Sequence, residues 1–211
     1  PQDKYVRAHR SKQKIMARPR TGNLIKRGKR GTYYLRYQTN GKLVQECLHT
    51  TIKSEAEIAK IRHICQITSQ GFIDLEGFLR AGESEQENCR RFKQHLLTLG
   101  VDDSPYIVSG SGQEGYGSII MGPTDKIIEK GDLFIIDTGS VFDSYFCDFD
   151  RNYAFGSIGD EAKKAYRVAY EATEAGFNAA QVGNTTSDIF NAMNSVLQKG
   201  GALGNTVGRL G

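Results

Sequence analysis

The sequence predicts an α+β protein, with helices and strands segregated along the chain rather than alternating. Three features carry that reading. Short alternating runs about an Asn-Gly pair fill residues 22–47, and two amphipathic periods follow, each behind a Ser-x-x-Glu start. A centre rich in Ile, Val, Phe and Tyr then gives way to two further helical periods.

Residues 1–21 show no hydrophobic period and many charges, which predicts a flexible basic tail. NLIK, TYYLRYQ and KLVQECL alternate about Asn40-Gly41, a pair suited to the two positive φ angles of a type I′ turn. Residues 22–52 are therefore expected to form a small three-stranded antiparallel module. Ser54 with Glu57 reads as a capping box ahead of Ile58, Ile61, Cys65, Thr68 and Phe72. Ser84 with Glu87 repeats it ahead of Cys89, Phe92, Leu96 and Leu99, and Gly100 closes that helix. YIVSGSG, GSIIMG, DLFIIDTGSVF and YFCDFDRNYAF read as strands. Asp160 and Glu161 open a helix expected to bury Ala162, Ala165, Tyr166, Ala169 and Thr173. Residues 187–199 form the last, with Ile189, Met193, Val196 and Leu197 inward. Residues 53–211 thus make up the body.

The net charge of +4 hides a split. Residues 1–46 hold thirteen Lys/Arg against two acids, whereas residues 47–211 hold fifteen against twenty-two. A polyanion is the natural partner for such a basic head, and a solvated basic surface is the alternative. The four cysteines form no CxxC pair, and nothing near Pro1 reads as a secretory leader, so a reduced, cytoplasmic protein is expected. No apolar run approaches the roughly 18 residues of a membrane span. The glycine-rich SGSGQEGYGS lacks the Lys-Ser/Thr of a phosphate loop, and His49, His63 and His95 have no companions at metal spacing.

Four aspartates interrupt the apolar segment IIDTGSVFDSYFCDFDRN. If its two strands turn about Phe142-Asp143, Asp137 faces Asp148 directly and Asp150 points to the same side. Asp143, with Asp132 just upstream, is assigned to a turn or to solvent. Three carboxylates crowded on one sheet face need a shared proton, a cation such as Arg151, or a divalent metal; oxygen-rich clusters suit Mn²⁺, Co²⁺, Fe²⁺ or Zn²⁺.

The stretch GPTDKIIEKGDLFIIDTGSVFDSYFCDFDRNYAFG resembles the hallmark of the pita-bread metallopeptidases, the M24 group of methionine aminopeptidases, Xaa-Pro dipeptidases and creatinase. Its Gly-Asp turn, apolar strand, Asp-x-Gly, aromatic residue and later Cys-Asp carry the likeness. KSEAEIAKIRHIC is similar to the family's first helix. The resemblance implies a pita-bread body binding two divalent metals, with Asp137 and Asp148 as two of five ligands; Asp150 is a possible third acid on strand geometry alone. GNTVGRLG resembles the approach to the next ligand, a histidine, so the resemblance implies a C-terminally truncated, catalytically crippled hydrolase of peptide-like substrates. A partly uncovered sheet would also be open to homodimer formation. Ile119, Ile120 and Met121 stand where peptidase members carry a substrate-contacting His, and Asp150 stands where they commonly have Thr. Those departures leave room for other chemistry of the same fold, such as a dimethylsulfoniopropionate lyase.

GNLIKRGKRGTYYLRYQTNGKLVQECLHTT is similar to the arm-binding module of phage-type tyrosine recombinases. That resemblance implies DNA association through residues 1–46, with Lys26, Arg27, Lys29, Arg30 and Arg36 on phosphates.

Overall fold

The computed structural model describes residues 22–113 and 121–201. The tail expected over 1–21, the stretch 204–211, and Ile119 and Ile120 of the GSIIMG run lie outside the described residues.

The first sheet has the order β1-β2-β3, from β1 (Gly22–Arg27), β2 (Thr32–Thr39) and β3 (Lys42–Cys47), all antiparallel. Asn40 (φ 49°) and Gly41 (φ 72°) form the expected turn. Register puts Leu24, Leu35 and Tyr37 on one face, and this face joins the main core. Gly22 sits where a Cβ would lie 2.2 Å from Phe142 Cζ, so the strand approaches the body too closely for any side chain.

Helix α1 (Lys53–Leu75) begins two residues earlier than a Ser54 cap would allow. Its N-cap is Ile52, without a side-chain cap bond; instead the Thr50 hydroxyl accepts from Ile52 N at 3.1 Å and donates to Glu55. The chain enters from β3 with this local bond already made, which displaces the Ser-x-x-Glu device. The buried face is rotated accordingly: Ala56, Lys60, Ile64, Thr68, Phe72 and Leu75 point inward, while Ile58 and Ile61 are exposed. Helix α2 (Glu85–Leu99) follows the expectation, with Ser84 Oγ accepting from Glu87 N and Gly100 left-handed at φ 112°.

The second sheet has the order β4-β5-β6, from β4 (Ile107–Gly112), β5 (Leu133–Phe142) and β6 (Tyr145–Ala154). Helices α1 and α2 cover one face of it. Phe134, Ile136, Phe142 and Cys147 meet Ile64, Phe72, Phe92 and Leu96 there, and most of these side chains are completely buried. Buried Glu85 at the start of α2 accepts from Ser111 Oγ (2.7 Å), Thr124 N (2.9 Å) and Thr124 Oγ1 (2.8 Å). One carboxylate thereby ties α2 to β4 and to the loop that leads into β5.

Helices α3 (Asp160–Ala179) and α4 (Thr186–Lys199) form a hairpin with its own small core of Val168, Ala172, Leu197, Met193 and Val196. The face expected inward on α3 is wrong: Ala165, Tyr166, Ala169 and Thr173 are exposed. The packed stripe is Val168, Ala172 and Gly176, because small residues let α4 approach until Met193 sits on Gly176. On α4, a reciprocal capping box between Thr185 and Asp188 sets the start. Among the described residues no helix is long and apolar enough to cross a membrane.

Two stability predictions follow from the α1 contacts. Lys60 and Asp143, about 10 % and 8 % exposed, pair at 2.7 Å. Lys60→Ala should cost about 3–5 kcal/mol in urea unfolding by stranding a buried carboxylate without its ammonium. His63, 9 % exposed between the Tyr37 and Phe142 rings with Nε2 unpartnered, has its pKa lowered by burial. A base depressed in the folded state favours the unfolded chain once protonated. Stability should therefore fall as pH drops below the ordinary histidine range, and the fall should be smaller in His63→Phe.

Candidate metal site

The site is built by the β5–β6 hairpin. Asp143 (φ 43°) and Ser144 (φ 71°) form its two-residue turn, and Asp is among the residues that tolerate this left-handed conformation. The expectation of a turn at Phe142-Asp143 is corrected by one residue: Phe142 is fully buried in the core and ends β5 instead. Register shifts with the turn. Asp137 pairs directly with Asp150, and Asp148 lies opposite Gly139, diagonal to Asp137. The partner moves by two positions, so all three acids keep the same face. Asp143, expected in a turn or in solvent, is in the turn but buried against Lys60, and Asp132 is buried, accepting from Glu129 N at 2.9 Å.

That face is the one α1 and α2 leave uncovered. Asp148, Asp150 and Phe146 are exposed, while Asp137, flanked by β4 on its other side, is half-buried. Burial first, then the charges of Asp148 and Asp150, raise the Asp137 carboxyl to about 6. Arg151 does not offset this charge. It points to the opposite face, its guanidinium 5.4 Å from the Phe149 ring centroid and 5.8 Å from that of Phe72.

Gly139 is the gap in this surface. A Cβ there would lie 1.9 Å from Phe146 Cζ, so only glycine lets the ring cross the strand. Tyr106, the residue before β4, reaches over the same gap, and its phenol donates to Asp148 Oδ1 at 2.5 Å. Nothing in sequence spacing pointed to Tyr106, since its place depends on the pairing of β4 with β5.

The donors fit a divalent cation in kind, being hard carboxylate oxygens in an anionic cluster with no compensating side-chain cation among the described residues. They do not fill a coordination sphere: among the described residues no group of three His, Cys, Asp or Glu side chains is arranged to hold a metal. Met121, expected in a strand, lies in a loop, where its carbonyl accepts from Ser109 N at 3.0 Å. The basic candidates lie elsewhere, on the first sheet. Lys26, Arg27, Lys29 and Arg30 are exposed at the β1–β2 end, Lys26 stacks 4.8 Å over Tyr33, and Arg36 Nε donates to Asn23 Oδ1 at 3.1 Å.

Comparison with known proteins places this geometry. A Xaa-Pro dipeptidase of Pyrococcus horikoshii is 26 % identical over 166 residues, covering 74 % of this chain and 47 % of the relative. The uncharacterized peptidase YqhT of Bacillus subtilis is 29 % identical over 136 residues, 64 % of this chain and 38 % of the relative. Among solved structures, the X-Pro aminopeptidase of Thermotoga maritima aligns with a TM-score of 0.65 at 25 % identity, covering 70 % of this chain and 42 % of that one. A Thermococcus sibiricus prolidase aligns at 0.69 and 24 % identity over 74 % and 42 %. The chain spans less than half the length of these relatives, and the part they share is the pita-bread fold. The family model for metallopeptidase family M24 matches residues 59–211, more than half of the sequence, and the chain therefore belongs to that family.

Proposed function

We propose that this chain carries the aspartate-bearing portion of a metal-dependent hydrolase that cleaves a peptide or related C–N bond, of the Xaa-Pro type. The observation that carries this reading is the cluster of Asp137, Asp148 and Asp150 on the open sheet face, with no side-chain cation beside it among the described residues. Asp137 and Asp148 are the residues that would hold the ions, with Mn²⁺, Co²⁺, Fe²⁺ or Zn²⁺ as suitable metals. A bound divalent ion would supply an activated water and polarise the scissile carbonyl. The chain's own contribution is a rigid edge: hairpin register fixes the spacing of the two acids, and Asp137 is available as a ligand once it loses its proton near pH 6. Two carboxylates fall short of the roughly three protein ligands of a catalytic centre, so residues 1–211 alone are expected to bind metal weakly and to leave Xaa-Pro dipeptides intact.

Titration calorimetry with Mn²⁺ tests this. Heat of binding should be present at pH 7.5, fade as pH falls through about 6 where Asp137 takes up a proton, and weaken markedly in Asp148→Asn. No binding in the wild-type chain would remove the metal reading. Thermal melts give a second check. A carboxyl raised in the folded state contributes stability while protonated and loses it as pH rises from about 4 through about 6. Asp137→Asn should thus melt above wild type at pH 7.5, with the gain shrinking toward pH 4.

A second reading rests on charge alone: Lys26, Arg27, Lys29 and Arg30 are exposed and form no ion pair with the described residues. If they meet DNA phosphates, affinity should fall steeply with salt, and charge-neutral substitution of all four should flatten that slope. Absence of binding at low salt would dismiss it.

A further inference from the structure

We propose that Tyr106 is a positioning residue for the metal-binding carboxylate of Asp148, an inference that rests on the metal reading of this site. The register makes one row across three strands: Tyr106 leads into β4 beside Gly139, and Gly139 pairs with Asp148. With no side chain in the middle of the row, the phenol crosses it and donates to Asp148 Oδ1 at 2.5 Å. Such a bond fixes the carboxylate's rotation, which an exposed aspartate on an edge strand otherwise lacks.

The phenol is itself held from the covered face. Thr138 is completely buried there, and its hydroxyl donates to the Tyr106 carbonyl at 2.6 Å. Ser104, also completely buried, shares a 2.8 Å hydroxyl contact with Thr138. On the open face the Tyr106 ring lies 6.2 Å from that of Phe146, which is fixed in turn by the gap at Gly139. Backbone and ring are thus restrained from opposite sides of the sheet, and the hydroxyl delivers that restraint to Asp148.

Tyr106→Phe removes the hydroxyl and keeps the ring. Free Mn²⁺ measured by electron paramagnetic resonance during titration reads weak affinities directly. The expected result is a loss of about 10–100-fold in Mn²⁺ affinity for Tyr106→Phe, with the melting temperature close to wild type. In an Asp148→Asn background the same substitution should have no further effect. Wild-type affinity in Tyr106→Phe would overturn the proposal while leaving the metal reading intact. So would an equal loss in the Asp148→Asn background, since the hydroxyl would then act elsewhere. Failure of the wild-type chain to bind Mn²⁺ would overturn both.

Discussion

The site depends on where the β5–β6 hairpin turns, and the buried ion pair between Lys60 and Asp143 holds the turn there. Asp143 occupies the first left-handed position of the turn and inserts its carboxylate beneath α1. Moving the turn by one residue would withdraw that carboxylate from Lys60 and pull Phe142 out of the core. Both penalties are of the size that decides a fold, because a broken buried pair alone costs about 3–5 kcal/mol. The acids on the far side of the sheet inherit their spacing from this anchor, although none of them touches it.

Two faces of one sheet therefore perform different work. The covered face is not purely apolar: Ser104, Thr138 and Thr68 are fully buried, bonded to one another, to Tyr106 O, or to Cys147 Sγ at 3.3 Å. Such contacts satisfy polar atoms that hydrophobic packing would leave stranded, and they restrain strand ends that the open face uses. The open face carries the reverse design, with like charges adjacent in register and an aromatic ring over a glycine. Like charges adjacent in register break a local rule of sheet stability on that side, where a ligand can compensate it.

Much of this was legible in the residues. Asn40-Gly41, Ser84 with Glu87, and Gly100 specify their structures locally, because each motif satisfies its own backbone groups whatever the rest of the chain does. The clustering of Asp137, Asp148 and Asp150 was legible too, since strand periodicity survives a register shift of two. The misses arose where two local solutions compete. On α1, Thr50 takes over the capping that Ser54 with Glu57 suggested, and on α3 two stripes of small residues were available. Ala172 and Gly176 were chosen because Met193 fits against them, a fact carried by α4 rather than by α3. Tyr106 was invisible for the same reason: its meaning lies in the pairing of two strands some thirty residues apart.

The acid cluster also gives the open face a chemical polarity that the fold alone does not require. The Asp137 carboxyl is raised to about 6, and burial contributes more to this than either neighbouring charge. Asp148 and Asp150 are exposed, so water screens them, whereas the half-buried Asp137 bears most of the electrostatic strain. A cation placed between Asp137 and Asp148 would relieve that strain where it is greatest, replacing a proton by a stronger charge. Because the strain is set by register, and the register by Lys60 and Asp143, the crowding of the three carboxylates is built in by contacts on the opposite face of the sheet.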